Sequence, residues 1–217
     1  MKIGVLGTGM VGPALAGKLV SLGHSVRLGA RAGSNKAHDW VDASGAGDRA
    51  SAGSYADAAA FGDIVFNATS GAGSLEALRA AGAENLRGKV LVDVANPLDF
   101  SGGMPPKLFT AEEGDSIAER IQNELPETRV VKALNTMNAS VMIDPSRVGG
   151  ESDAFLCGND PGAKERVTGL LREFGWTNVR DVGDITAARG LEAYVLFWLT
   201  LMVSFKTPEF NIRVVGA

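Results

Sequence analysis

Short apolar runs recur along this chain, separated by stretches whose apolar positions fall at helical spacing. Residues 3–6, 26–28, 64–66, 90–94, 130–131 and 154–156 are apolar runs interrupted by charge only at Arg27 and Asp93, as expected of strands covered on both faces. Between the first two runs, Val11, Leu15, Leu19 and Leu22 repeat at helical spacing, and Gly23-His24 closes that pattern. Residues 75–81 read as a helix after the run at 64–66. A polar stretch between Asp48 and Tyr55 predicts one further edge strand, which makes 64–66 the fourth strand, 90–94 the fifth and 130–131 the sixth. Strands alternating with helices predict a parallel sheet with helices on both faces, an α/β architecture.

Helix ends are written locally. Asp115 or Ser116 caps a helix running to about Glu124, with Glu119 completing a capping box. A second helix, residues 161–174, has Asp160 as N-cap, Pro161 at its first position and Gly175 as its stop. Asp184 or Thr186 opens the last long helix, which should reach about Ser204. There is no internal repeat and no low-complexity linker. Residues 1–150 are expected to form one domain and 151–217 a small C-terminal lobe packed against it.

The first turn carries chemistry. The run at 3–6 leads into Gly7-Thr8-Gly9-Met10-Val11-Gly12, a Gly-x-Gly-x-x-Gly motif between a strand and a helix. Gly7 permits the tight turn, Gly9 lets the backbone approach a pyrophosphate, and Gly12 lets helix and strand pack closely. The helix-start N–H groups then hold the phosphates. This is the dinucleotide fingerprint of a Rossmann-type doubly wound parallel sheet. An NAD-binding version places a carboxylate at the end of the second strand for the ribose 2′-hydroxyl. Here that segment reads Leu28-Gly29-Ala30-Arg31-Ala32-Gly33-Ser34-Asn35-Lys36, without an acid. Arg31 offers a planar fork for a 2′-phosphate, Ser34 a neutral donor and Lys36 a point charge. The expected ligand is NADP(H).

Residues 96–106, Asn96-Pro97-Leu98 onward to Pro106, lie beyond the fifth strand, where ligands of open α/β sheets bind. Thr69-Ser70 and Asn135-Thr136 fall on the same edge. These residues either line a pocket above the nicotinamide or serve as ordinary caps and turns.

Composition narrows the partners. A net charge of −4 without basic clusters argues against nucleic acid. The single cysteine, Cys157, excludes an internal disulfide framework, reads as a buried structural thiol and suits a cytoplasmic protein. Lys2 runs directly into the first strand, leaving no room for a signal peptide. The greasy stretch 194–205 is too short to span a membrane and reads as a buried helix or a dimer interface. Acid–base groups are sparse: His24 and His38 lie away from the expected hydride site, and neither Tyr55 nor Tyr194 begins a Tyr-x-x-x-Lys pair. No cluster has metal-ligand spacing. Lys132, at a strand end, is either a proton donor or structural. The simplest match is hydride transfer between two stacked redox cofactors, where positioning does the work.

The chain resembles the NADPH-dependent reductases of coenzyme F-420, a 5-deazaflavin. The resemblance runs through Gly7-Thr-Gly9-Met-Val-Gly12, Gly29-Ala30-Arg31, Asp93-Val-Ala-Asn96-Pro97-Leu98 and Ser116-Ile-Ala-Glu119. It continues through Val131-Lys-Ala-Leu-Asn135-Thr136, Phe155-Leu-Cys-Gly158-Asn-Asp160, Asp181-Val-Gly-Asp184 to Glu192, and Asn211-Ile-Arg213. It implies a homodimer in which the deazaflavin lies over the nicotinamide between the lobes. Thr69 and Ser70 would approach the nicotinamide. Asn96, Pro97, Leu98, Asn135 and Thr136 would line the floor, and residues 185–189 would meet the second cofactor. The family's Ser-Asn-Ser-Arg-like run is here Ile185-Thr-Ala-Ala-Arg189, and Phe197 and Trp198 make the last helix bulkier. The expected activity is hydride transfer between NADPH and a deazaflavin or flavin-like acceptor, without a catalytic side chain. Two alternatives stay open: an NADPH-dependent reductase of a small imine or carbonyl, whose relatives carry a further all-α domain, and a non-catalytic NADPH-sensing module.

Overall fold

A computed structural model of the protein describes residues 1–216. From the N-terminus, β1 (Lys2–Leu6), α1 (Val11–Ser21), β2 (Ser25–Ala30), α2 (Lys36–Ser44), β3 (Ala50–Ser54) and α3 (Tyr55–Phe61) form the first half of the winding. The second half opens with β4 (Ile64–Asn67), α4 (Ser74–Ala81), α5 (Ala83–Leu86) and β5 (Val90–Asp93). A hairpin of β6 (Leu98–Asp99) and β7 (Lys107–Leu108) spans the segment that follows β5. Then come α6 (Ile117–Glu124), β8 (Arg129–Ala133), α7 (Ala139–Ile143), β9 (Asp153–Gly158), α8 (Pro161–Phe174), β10 (Asn178–Asp181) and α9 (Ala188–Phe205).

Eight strands form one sheet in the order β10-β9-β8-β5-β4-β1-β2-β3. The winding runs outward from β1 through β2 to β3, then restarts at β4 on the other side. β1 and β4 are neighbours, so their C-terminal ends flank the switch point where such sheets bind ligands. Every pairing is parallel except β8 with β9. The sheet is thus the doubly wound, mostly parallel one expected, with one antiparallel pair. After β8 the chain packs α7 against α1 without crossing back over the sheet, so β9 starts at the edge where β8 ends. Strands β9 and β10, within 151–216, extend the same sheet that residues 1–150 begin.

Alternation along each strand fills two cores. Ile64 and Phe66, Val90 and Val92, and Val131 face one side, with Leu15, Leu19, Leu170 and Phe174. Val65, Leu91 and Val130 face the other, with Leu78, Ile117 and Ile121. The caps of α8 are as read: Asp160 accepts from the Ala163 N–H at 2.7 Å, and Gly175 takes the left-handed conformation at φ 107°. At α6, Ser116 Oγ accepts from the Glu119 N–H, but the expected box does not close. Glu119 instead accepts from the Ser116 hydroxyl and from Arg189. The last helix begins earlier than the greasy stretch. With its preceding turn it runs Ile185–Phe205, 21 residues, long and apolar enough by length and composition alone to cross a membrane. The greasy stretch 194–205 is the second part of that helix.

Candidate active site

The turn after β1 is built for a close ligand. Gly7 sits at φ 114°, and a Cβ there would lie 2.5 Å from the Ala68 carbonyl oxygen. A Cβ on Gly12 would lie 1.9 Å from the Gly7 carbonyl oxygen, so Gly12 serves the strand–helix packing and not the cavity wall. A Cβ on Gly9 would meet nothing within 4 Å, because that position faces open space. No side chain caps α1, which leaves its first N–H groups for a bound anion.

In front of this turn lies a cavity of about 600 Å³. Gly7, Thr8, Gly9, Thr69 and Ser70 form its inner end; Arg31 and Lys36 form its outer edge. Tyr55 and Glu76, which sequence reasoning missed, complete it. Burial pushes the Tyr55 hydroxyl up, and the neighbouring Arg31 partly opposes that. Ser34 does not line this cavity; its Oγ sits 3.5 Å from the Lys36 N–H, within its own turn. The room and the two cations fit the phosphates of a 2′-phosphorylated dinucleotide.

A second cavity of about 410 Å³ adjoins the first, and Ala68, Thr69 and Ser70 wall both. Met10, Val11, Asn96, Leu98, Phe100 and Asn135 line one side of it; Val195, Trp198 and Leu199 of α9 form another. None of its lining residues is charged. Asn96 donates to the Asn135 backbone carbonyl at 2.8 Å, and Asn135 donates to the Asn96 side-chain oxygen at 2.9 Å. Leu134, at φ 62°, holds the left-handed turn that delivers Asn135 to this pair. Such a strained non-glycine residue costs about 1–3 kcal/mol and persists where its surroundings over-determine it.

Several expected contacts are absent from both cavities. Pro97 is buried, its carbonyl accepting from the Phe109 N–H at 3.0 Å. Thr136 is buried with its hydroxyl unpartnered. Ile185 lies in the core, and Arg189 is held by Glu119 at 2.6 Å, so residues 185–189 turn away from the second cavity. Later turns of α9 take their place.

A buried polar network runs beneath the cavities. Thr69 donates to Asn67 Oδ1 at 2.7 Å, and Asn67 donates to Asp93 at 2.8 Å and to Ser74 at 3.0 Å. Lys132, with no exposed side-chain surface, pairs with Asp93 at 2.7 Å and Glu192 at 2.8 Å. It also donates to the Ala95 carbonyl. Burial alone would lower the Lys132 pKa; the two carboxylates outweigh that and hold it raised. Burial pushes Glu192 up, with Lys132 opposing. Glu192 also accepts from the Ile117 and Ala118 N–H groups at 2.9 and 3.2 Å, fastening α9 to the start of α6. Lys132 lines neither cavity and directs its protons to buried partners, and its partner Glu192 left no local signal in the sequence. Cys157 is buried and its thiol is pushed up to about 12 by that burial, as a structural thiol should be. Among the described residues, no three His, Cys, Asp or Glu side chains are placed to hold a metal.

A glycine cradle at the switch point, cations at the end of β2 and an apolar second cavity define a nucleotide-dependent oxidoreductase of the Rossmann class. The family described as "NADP oxidoreductase coenzyme F420-dependent" matches residues 2–97. An F420-dependent NADP reductase of Methanocaldococcus jannaschii is 30% identical over 159 residues, covering 73% of this chain and 70% of that protein. A crystal structure from Arthrobacter sp. FB24, provisionally described as an F420-dependent NADP-reductase, is 48% identical. It superposes with a TM-score of 0.92 over 99% of both chains. The rat metalloreductase STEAP3 is 30% identical over 95% of this chain, which spans only 38% of that protein. The chain belongs to the coenzyme F420-dependent NADP oxidoreductase family. It is an NADP-dependent oxidoreductase.

Proposed function

We propose that this protein transfers hydride between NADPH and a deazaflavin of the F-420 type, or a flavin-like acceptor, seated in the second cavity. The observation that carries the reading is the shared wall. Ala68, Thr69 and Ser70 are the partition across which two planar rings meet. When bound, the dinucleotide supplies the hydride from its nicotinamide ring. Arg31 and Lys36 hold the 2′-phosphate, and the α1 N–H groups hold the pyrophosphate. The apolar wall of Val195, Trp198 and Leu199 excludes water and offers flat surface to a ring system. No lining side chain is an acid of the kind that imine or carbonyl reduction uses, which favours hydride transfer between cofactors.

The direct test uses NADPH deuterated at the transferring position with F-420, FMN and riboflavin as parallel acceptors. Deuterium retained on the ring carbon of F-420 with loss of its absorbance, or bleaching of a flavin (whose ring nitrogen exchanges its deuterium with water), is the expected result. Tight NADPH binding without turnover of any of the three would overturn the reading in favour of another acceptor or of the sensing module. Phe197, Val203 and Phe205 on α9 are more than half exposed, and we propose that a second copy covers them in a cytoplasmic homodimer. Light scattering at micromolar concentration tests this; a monomer refutes it.

A further inference from the structure

We infer that the buried Asp93–Lys132–Glu192 cluster acts as a positioning set whose net negative charge favours the oxidised, cationic nicotinamide where the two cavities meet. The inference rests on the NADP(H) placement proposed above.

The charge count comes from the hydrogen bonds. Asp93 accepts from Asn67 Nδ2, the Ala95 N–H and Lys132 Nζ. Glu192 accepts from Lys132 Nζ and the Ile117 and Ala118 N–H groups. Every partner of both groups is a donor, so neither carboxyl has an acceptor for a proton of its own, and both are carboxylates. One lysine therefore faces two anions, leaving a net charge of −1. The neighbouring Cys157 is a neutral thiol and adds nothing to the sum. The α6 N–H groups offset part of the charge, but they meet Glu192 and not Asp93.

Position makes the charge relevant. Asp93 is two hydrogen bonds from Thr69, which walls both cavities. Ala95, whose carbonyl Lys132 holds, lines the second. The nicotinamide is neutral when reduced and carries one positive charge once hydride leaves it. A fixed buried anion close by stabilises that charge as it develops, and salt does little to screen it. Stability alone does not account for the cluster, since apolar residues of similar volume often replace buried ion pairs at no cost.

The test is a ratio of binding constants on the full-length protein. NADP+ and NADPH are titrated separately into wild type and Glu192→Gln. A unit charge acting over roughly 10 Å at an effective dielectric of about 20 changes the relative binding of the two forms on the order of tenfold. The expected result is a rise in Kd(NADP+)/Kd(NADPH) of about that size. A merely structural role would weaken both nucleotides alike, and that outcome overturns the inference. Should Glu192→Gln not fold, Asp93→Asn removes one charge from the other end and carries the same expectation. Lys132→Arg keeps the charge count and should leave the ratio within about twofold; a tenfold shift there also overturns it. Wild-type protein that binds neither nucleotide overturns the NADP(H) placement, and this inference with it.

Discussion

Replacing Arg31 by alanine separates the two nicotinamide cofactors. Arg31 stands in the wall of the nucleotide cavity with Lys36, in the segment after β2, which itself carries no carboxylate to accept from a ribose hydroxyl. Its planar guanidinium grips a 2′-phosphate through charge-assisted bonds, each contributing about 1.5–3 kcal/mol when formed. Arg31 is exposed, so solvent and salt take the lower end of that range, about 1.5 kcal/mol. That corresponds to a Kd for NADPH about tenfold weaker. NADH has no 2′-phosphate and should be affected about twofold at most. The assay is fluorescence titration of both reduced nucleotides into wild type and Arg31→Ala at two ionic strengths. High salt should shrink the NADPH difference and leave NADH where it was. Equal weakening of both nucleotides would refute the 2′-phosphate assignment.

The two glycines of the first turn give opposite outcomes. Gly12→Ala drives a Cβ into the Gly7 carbonyl and should lower stability by about 1–3 kcal/mol, read as a fall in Tm. Gly9→Ala meets only open space, so Tm should hold while NADPH binding weakens about tenfold by calorimetry. For Cys157, a thiol raised from 9.0 to about 12 stays protonated in the folded state after the unfolded thiol has ionised. Its contribution to stability is full below pH 9 and is lost as pH climbs from 9 towards 12, which denaturant melts across that window will show. A thiol reagent at pH 8 should label it only after unfolding. Trp198→Ala removes a wall of the second cavity together with its stacking on Phe210, at 5.4 Å between ring centroids. The acceptor KM should rise severalfold, on the scale of about 1 kcal/mol, with the Kd for NADPH unchanged.

What the sequence made legible was written locally. Asp160, Pro161 and Gly175 mark both ends of α8 because caps act within a few residues of the helix they end. The glycine turn was equally readable, since its three constraints lie within six positions. What stayed hidden depended on distance. Lys132 finds Glu192 sixty positions later, and no periodicity announces that two charges will be buried together. Glu192 looks like surface until its partners are known. Tyr55 and Glu76 reach the nucleotide cavity from the starts of α3 and α4, where nothing nearby marks them as wall. The β8–β9 reversal escaped for a related reason. Antiparallel and parallel strands with both faces covered share one apolar pattern, and the direction is set by what the connecting segment does.

The division of the two cavities along the chain has an evolutionary consequence. Every residue lining the nucleotide cavity falls between Gly7 and Ala80, whereas most of the second cavity's own walls fall between Val94 and Leu199. The two cavities are thus lined by largely separate stretches of sequence: they share Ala68, Thr69 and Ser70, and the earlier stretch adds only Met10, Val11, Gly71 and Ala72 to the second. Substitutions in the later stretch can remodel the second cavity while the nucleotide half is inherited unchanged. Lineages descending from one such ancestor would share the nucleotide half and diverge in the second cavity.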